Sequence, residues 1–568
     1  SDRIAVGTNL VVNGGEFALG SNTETVAAVS LISGKLSGSG TLTGASYNLE
    51  SGTVSLALAG AGVVLTKSNA GAVILQGANT FTGGVVINGG TLVLGNSGAL
   101  NATAPNAVAF GAAAAAKLQL NGYSITLDSL ATNVSAGSTV LENASTSAVS
   151  LTINGASATT FAGVLQDGTG GGALSLILNG SGALALSGSN TLTGGIALSS
   201  GTLRAGSNSA LGSGTLIFSG GVLSSDSTAA RTLSNALVLS GSLALGDSNN
   251  SGALLLSGSA SLVSATTLTL ASAVTSSGVI SGAFDLTTVG SSELTLSGSN
   301  TFSGTTNVNS GTLTLSGGAA LADTMVVNVG AGGLLKLASS EVIATLSGGG
   351  AVDLQSSVLT LRGAVDSTFS GIMSGTGALV KNGGAVLTLG GTNSFSGGVT
   401  LNAGAIQAAN AAALGTGTLT FSGGRLSSDS TTARTLANAL ALSGNLTFGD
   451  ASNFGALTLS GNASLAANTT LTIASAVNLS GSISGAYNLA IAGASELTLS
   501  GTNSFTGTTT VSNGTLTLSG GAALADSMAL TVDTNGRVKL AYSEQIGTLA
   551  GSGQLNLQDK VLTLSGTE

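Results

Sequence analysis

The chain has 568 residues, with 14 Lys and Arg against 23 Asp and Glu, a net charge of −9, and no histidine or cysteine. Its 89 glycines, 43% apolar residues and 7% charged residues exclude a disordered tail, because disorder requires low hydrophobicity and high charge. The weak negative charge without a basic run disfavours nucleic acid and anionic membranes as partners, and no apolar run reaches the ~18 residues of a membrane-spanning helix.

The first distinctive element is the segment 79–95, which contains two runs of alternating side chains. Val85 and Ile87 form the first run, and Leu92 and Leu94 form the second. Alternation at every second residue predicts short strands with one buried face. The Gly and Asn-Gly pairs that close each run predict tight corners.

Near-copies of this segment begin at Asn190, Asn300, Asn393 and Asn503. Between them, weaker strand-turn units recur about every 20 residues, which is the scale of one solenoid turn. The chain is therefore predicted to be a repeat array.

A larger duplication overlies these repeats. The stretch 176–361 recurs as 379–564 without a gap, at an offset of 203 residues. We therefore divide the chain into irregular solenoid repeats over 1–173, a repeat unit over 174–376, and its second copy over 377–568.

Gap-free repetition is what stacked coils require, because an insertion would shift every later turn. The pattern predicts an all-β fold: a right-handed parallel β-helix (β-solenoid) with roughly 20 residues per turn, continuous as one elongated rod. The one helix candidate, 112–116, is too short to persist.

The segment 294–305, followed by 310–315, resembles the autotransporter-associated β-strand repeat, which couples Asn-Thr-Phe or Asn-Ser-Phe to Gly-Thr-Leu at fixed spacing. The segments 230–237 and 433–440 resemble the linking segments of the same proteins. This repeat occurs in autotransporter passengers and very large bacterial surface proteins. The resemblance covers nearly the whole chain and implies a secreted or surface-exposed β-helical stalk, although nothing resembles an inserted effector domain.

Each copy of the motif carries an asparagine, and four of the five carry a phenylalanine two residues later. The asparagines are Asn79, Asn190, Asn300, Asn393 and Asn503, and the rings are Phe81, Phe302, Phe395 and Phe505, with Leu192 as the exception. We expect the asparagines to close turns through side-chain to backbone hydrogen bonds. We expect the rings to plug a corner of the core, with a row of ligand-stacking rings as the alternative.

The absence of histidine and cysteine removes Ser-His-Asp and Cys-His catalysis. The enzymatic alternative is therefore a glycan-binding or glycan-cleaving β-helix with paired carboxylates. Its candidate pairs lie about one turn apart: Asp226 with Asp247, and Asp429 with Asp450. We expect these acids instead to cap corners or to pair with Arg231 and Arg434. No catalytic residue, cofactor or metal site is predicted, with calcium at a turn left open.

Two further charged pairs repeat at the 203-residue offset. They are Lys336 with Glu341, and Lys539 with Glu544. As exposed pairs they would be worth at most about 1 kcal/mol, and we expect them to keep stacked edges in register.

The first and last segments have the pattern of interior turns and lack polar caps. Residues that could stack end to end are Ile4, Val6, Val561, Leu562 and Leu564. We expect a structural, extracellular or bacterial cell-surface solenoid that is either an adhesin stalk or a fibre-forming subunit. Its expected partners are further copies of itself or further turns of a longer solenoid, and surface glycans or other cells.

Overall fold

The computed structural model describes residues 3–111, 115–133 and 139–566. Its elements, numbered β1 to β61 in chain order, are all strands. The bounds of β1 to β31 are Leu10–Gly20, Thr23–Thr25, Ala28–Gly38, Thr41–Thr43, Ser46–Leu49, Gly52–Val54, Ala57–Ala59, Leu65–Lys67, Ala72–Leu75, Val85–Ile87, Gly90–Leu94, Ala107–Phe110, Ala116–Gln119, Ile125–Leu127, Ser129–Thr132, Val140–Glu142, Val149–Ile153, Ala158–Phe161, Val164–Gln166, Leu174–Leu178, Ala183–Leu186, Ile196–Leu198, Thr202–Ala205, Leu216–Phe218, Val222–Ser225, Arg231–Leu233, Leu237–Leu245, Leu254–Leu256, Ala260–Leu270, Val274–Ser276 and Ile280–Ser281.

The bounds of β32 to β61 are Leu286–Gly290, Glu293–Leu296, Thr306–Leu315, Val326–Leu337, Glu341–Ile343, Thr345–Gly348, Ala351–Asp353, Val358–Leu361, Ser367–Phe369, Ile372–Ser374, Ala378–Lys381, Val386–Leu389, Val399–Leu401, Ala405–Ala408, Leu419–Phe421, Arg425–Ser428, Arg434–Leu436, Leu440–Phe448, Leu457–Leu459, Ala463–Ile473, Val477–Leu479, Ile483–Ser484, Leu489–Ala492, Glu496–Leu499, Thr509–Leu518, Ala529–Leu540, Glu544–Ile546, Thr548–Gly551, Gln554–Asn556 and Leu562–Leu564. None of the described residues forms a helix, so none forms one that could span a membrane. The short helix candidate 112–116 falls largely outside the described residues.

The strands pair in parallel, each with its equivalent one turn away. Leu176 pairs with Ile196 and Ile196 with Leu216, so one turn takes 20 residues there. The predicted all-β parallel β-solenoid is confirmed, and its strands stack in about 27 turns. The chain forms two compact units: residues 1–284 with 292–294, and residues 285–291 with 295–568.

Each unit contains three ladders of stacked strands. In the first unit one ladder runs through β20, β22, β24, β27, β29 and β31, and a second through β21, β23, β25, β27 and β29. The third contains β26, β28 and β30. In the second unit the same three-ladder order recurs, for example β44 with β46, β45 with β47, and β48 with β50.

The core of each unit is built from alternate residues of these strands. In β43, Leu387 and Leu389 are buried, while Val386 and Thr388 keep part of their surface. Burial of one such leucine is worth about 2 kcal/mol, and equivalent inward leucines are buried in β39 and β42, the strands stacked before β44. The alternation read from the sequence therefore sets which face of each strand points inward.

A small apolar cavity lies in the core of the first unit. Its volume is about 20 Å³. It is lined by Phe218, Leu223, Leu237, Leu239, Leu245, Leu256, Ala260, Leu268, Ser276, Ile280 and Leu294. Phe448 of the second copy stands where the first copy has Leu245, and its ring meets Phe421 edge-on with centroids 5.3 Å apart. The cavity therefore coincides with a position where the first copy carries the smaller side chain.

We predict opposite stability changes for exchange of these two residues. Leu245→Phe should raise the free energy of unfolding of the first unit by about 0.5 kcal/mol, because filled cavity volume is worth about 24 cal/mol per Å³. Phe448→Leu should lower that of the second unit by about 1 kcal/mol. Urea unfolding followed by circular dichroism measures both changes. Destabilisation by Leu245→Phe would show that the cavity cannot accept a ring.

Candidate functional site at the repeated corner

The motif asparagines are buried, and their side-chain amides bond to neighbouring turns. Asn393 Oδ1 accepts a hydrogen bond from the Met373 N–H at 2.7 Å, and its Nδ2 donates to the Ala413 carbonyl at 2.6 Å. Asn503 does the same with Ile483 N and Ala523 O, both at 2.7 Å. These bonds reach residues 20 positions away, so the amide holds neighbouring turns together and does not close its own turn.

The other three asparagines make hydrogen bonds of the same kind to neighbouring turns. Asn79 accepts from Leu58 N at 2.8 Å and donates to Ala99 O at 2.7 Å. Asn190 accepts from Leu165 N at 2.8 Å, and Asn300 donates to Ala320 O at 2.7 Å. At this corner the strand ladder is interrupted, and the side-chain amide supplies the missing donor and acceptor.

The motif phenylalanines lie in the core, with 0% of their surface exposed. Leu192 occupies the same buried position in its repeat. The Phe81 ring packs against Tyr47, with centroids 6.1 Å apart. In this conformation the rings offer no face to a ligand.

Within each unit, the motif does not stay on one ladder. In the first unit Asn79 bonds to β7, whereas Asn190 bonds to β19, on the ladder that runs back through β16 and β13 to β11. In the second unit Asn503 bonds to β53, and the ladder of β53 runs back to β36. Asn393 bonds instead to β41, which belongs to the ladder of β38 and β35. The motif asparagines of a unit therefore do not form a single row.

Two glutamates complete the corner in the second unit. The Glu341 carboxylate accepts hydrogen bonds from Ala320 N at 3.2 Å and Leu321 N at 3.0 Å. Glu544 accepts from Leu524 N at 2.8 Å. Both side chains are buried, so the prediction of exposed pairs with Lys336 and Lys539 is wrong. The cause is that unpaired backbone N–H groups of the neighbouring turn attract the carboxylate inward.

The ionisation of these glutamates reflects their burial. Burial raises the pKa of the Glu341 carboxyl above its ordinary value, although the hydrogen bonds from Leu321 and Ala320 oppose the shift. Burial likewise raises the pKa of Glu544.

Glu142 in the first unit shows the opposite balance. Its carboxylate accepts from Gln119 Nε2 at 2.7 Å, Lys117 Nζ at 2.9 Å and Gln166 Nε2 at 2.6 Å. Burial alone would raise the pKa of Glu142, but these three hydrogen bonds outweigh it, and the pKa lies below its ordinary value. Nothing in the sequence marked this residue, because its three partners lie on the two neighbouring turns, Lys117 and Gln119 on β13 and Gln166 on β19.

Two buried lysines were also missed by sequence reasoning. The Lys67 ammonium donates to the carbonyls of Ser68 at 2.6 Å, Asn69 at 2.8 Å and Gly89 at 3.0 Å, and Lys381 donates to Gly383. Burial lowers the pKa of both lysines. A signal was present, since Lys67 and Lys381 occupy the same place in their repeats, 12 residues before the motif asparagine.

All four aspartates of the candidate catalytic pairs form an ion pair with an arginine. Asp226 Oδ1 lies 2.8 Å from Arg231 Nη2, and the second copy repeats this pair between Asp429 and Arg434 at 2.9 Å. The predicted pairing with these arginines is confirmed.

The other two aspartates also pair with an arginine, but the arginine stands at a different sequence position in each copy. Asp247 Oδ2 lies 3.0 Å from Arg204 Nη2. In the second copy Gln407 replaces that arginine, and Asp450 Oδ2 lies 2.9 Å from Arg425 Nη1 instead. Each of these acids also accepts a backbone N–H of its own loop, so it caps a corner. Among the described residues no three acidic side chains gather as a metal site.

The residues predicted to stack end to end lie on the outermost described turns. Val6, Val561 and Leu564 are exposed, and Ile4 and Leu562 keep part of their surface. The strand β61 pairs with β58.

The chain matches a known repeat family. The passenger-associated-transport-repeat matches at residues 65–94, 176–205, 286–317, 379–408 and 492–518. A curated relative, the adhesin BmaC autotransporter of Brucella suis biovar 1 (strain 1330), is 38% identical over 99 residues, which are 17% of this chain and 3% of the relative. The chain thus matches only a small part of that relative's length, and no solved structure matches it. The predicted resemblance to autotransporter passenger β-repeat proteins is confirmed.

Removal of one motif amide tests the corner. Asn393→Ala should lower the free energy of unfolding of the second unit by about 2–4 kcal/mol, because it leaves the Met373 N–H and the Ala413 carbonyl buried without partners. The control is Asn402→Ala, an exposed amide that donates to Asn382 Oδ1 and accepts from Ser422 Oγ. Both bonds are open to water and leave no backbone group unpaired, so stability should change by less than about 0.5 kcal/mol. Equal losses of stability for the two variants in urea unfolding would refute the role of the Asn393 amide in joining neighbouring turns.

The glutamates predict pH dependences of opposite sign. The ordinary carboxyl pKa is 4.5, and the folded pKa of Glu341 is higher, so the wild type loses stability relative to Glu341→Gln as pH rises from about 4 to 7. The folded pKa of Glu142 is lower, so the wild type loses its advantage over Glu142→Gln as pH falls from about 6 to 3. Urea midpoints measured across this range check both signs. If the stability differences of the two variants from the wild type changed with pH in the same direction, the opposite pKa shifts of Glu341 and Glu142 would be contradicted.

Proposed function

We propose that this chain is part of the passenger region of a bacterial surface adhesin, a β-solenoid that displays binding surfaces outside the cell. The observation that carries the proposal is the five-fold recurrence of the passenger-associated-transport-repeat, each copy with its buried asparagine clamp. The printed name of the relative, an adhesin autotransporter, agrees with it. The partners proposed are surface glycans or other cells.

We infer a structural role without catalysis. A retaining or inverting glycosidase needs two carboxyl groups that face a common substrate site. Here Asp226, Asp247, Asp429 and Asp450 each pair with an arginine, so each of the four acids has an arginine partner in both copies of the duplication. A charge-paired acid that also caps a loop is a poor general acid or nucleophile, and this supports the structural role.

End-to-end association of copies is the finer part of the proposal. The exposed apolar side chains of Val6, Val561 and Leu564 support it. Pairing of two such turns would add ladder hydrogen bonds and bury these side chains.

Adhesion and self-association are tested together with chain-coated fluorescent beads. Beads that carry the folded chain should bind cultured epithelial cells and a glycan array saturably, and beads with urea-unfolded chain should not. The same beads mixed with one another should clump, and Val561→Asp with Leu564→Asp should abolish the clumping but leave cell binding intact. Absence of binding to both cells and glycans would refute the adhesin proposal, and unaltered clumping of the variant would refute end pairing alone.

A further inference from the structure

Two Asn-Gly pairs lie side by side on successive turns of the second unit. Asn513 pairs in register with Asn535, and Gly514 pairs with Gly536. Neither pair occurs in the first copy of the duplication, where Ser310-Gly311 and Gly332-Gly333 stand at these positions. The asparagines are therefore not required by the solenoid backbone.

Asn513 is held in an unusual local geometry. Its exposed side chain follows a break in the strand register between Val511 and Asn513. The N–H of Gly514 donates to the Asn513 Oδ1 atom at 2.8 Å, so the backbone nitrogen of residue 514 lies beside the side-chain amide group that precedes it. Gly514 has a φ of 79°, a left-handed conformation in which glycine is free of side-chain strain.

We propose that Asn513 is a site of spontaneous covalent modification, at which the side-chain amide is converted to a carboxylate through a cyclic imide. A solvent base removes the proton from the Gly514 nitrogen, which attacks Asn513 Cγ and forms a new C–N bond. The Cγ–Nδ2 bond breaks, and ammonia leaves with a proton. Water then adds to one of the two imide carbonyls and opens the ring to aspartate or to isoaspartate, so water is the only other reactant.

Proximity favours Asn513 over its neighbour. An intramolecular attack gains rate when the reacting atoms are already positioned, and the hydrogen bond holds N and Cγ on the same side of the residue. Gly514 keeps part of its surface, which admits the base and the water, whereas Gly536 of the neighbouring pair is buried. We therefore expect modification at Asn513 to precede modification at Asn535.

The product would alter the surrounding ladders. Asn513 lies inside β56, which pairs with β54, β55 and β57. An aspartate adds a negative charge at the bend, and an isoaspartate adds one backbone atom to the chain path. Because each turn must stay in register with the next, the longer backbone would weaken pairing on both sides of β56.

The first copy of the duplication supplies a matched control. Ser310 occupies the position of Asn513 and accepts a hydrogen bond from Gly290 N at 2.9 Å, and the following Gly311 has a φ of 72°. Asn513→Ser therefore installs a residue that the same backbone already accommodates and that carries no amide to lose.

The experiment incubates the full folded chain in mildly alkaline and mildly acidic buffer, then maps peptides by mass spectrometry and assays isoaspartate with an isoaspartyl methyltransferase. We expect residue 513 to lose its amide severalfold faster than residue 535, faster in the alkaline buffer, and not at all in Asn513→Ser. In urea the ratio of the two rates should fall toward one.

Two outcomes would overturn the proposal. Equal or slower conversion at residue 513 in the folded chain would show that the geometry does not promote attack. A rate ratio unchanged by urea would show that only the Asn-Gly sequence matters and that the fold contributes nothing. Unchanged folding of Asn513→Ser, seen by circular dichroism, keeps either result interpretable.

Discussion

Backbone pairing between successive turns is the constraint on which the rest of this structure depends. A residue bonds to its equivalent about 20 positions away, so its partner is fixed by the length of the turn. Where a strand ends, its last N–H and C=O groups have no partner, and burial of such groups costs about 1–3 kcal/mol each. Asparagine suits this corner because one amide is both donor and acceptor, as Asn393 shows between β41 and the turn of Ala413. Glu341 accepts hydrogen bonds where only backbone N–H groups lack partners, and Lys67 donates hydrogen bonds where only backbone carbonyls lack partners.

The internal duplication shows which interactions the solenoid preserves. Asp450 keeps an arginine partner although Gln407 has replaced the residue that serves Asp247 in the first copy. Arg425, at a position that is valine in the first copy, supplies the charge from another strand. An acid that caps a loop and is mostly buried must be neutralised, but either of two neighbouring turns can do it. The buried aspartate at this corner therefore needs an arginine partner, but that arginine can stand at either of two sequence positions.

The sequence predicted the solenoid because alternation and gap-free repetition both follow from stacking. It also identified the motif asparagines and phenylalanines, which stand out by their fixed spacing. It did not predict that the amide of Asn79 would reach Leu58 and Ala99, because those partners are defined only after the turns are stacked. The same limit explains Glu142, whose three donors lie 23 to 25 residues away, and Glu341, whose charge suggested a surface residue. Local sequence gives the strand, whereas contacts between turns require the register.

The position of the motif on the ladders bears directly on how the protein can bind a partner. A repeat that kept one ladder would line up its side chains and form a continuous row, as a binding array requires. In the second unit Asn503 bonds to a strand of one ladder and Asn393 to a strand of another, so these equivalent residues point to different faces. The phenylalanines of these repeats are also buried. The motif asparagines therefore join turns and do not form a binding array. On the adhesin proposal, recognition of a partner would depend on outward residues that differ between copies, such as Phe454, exposed where the first copy has Ser251.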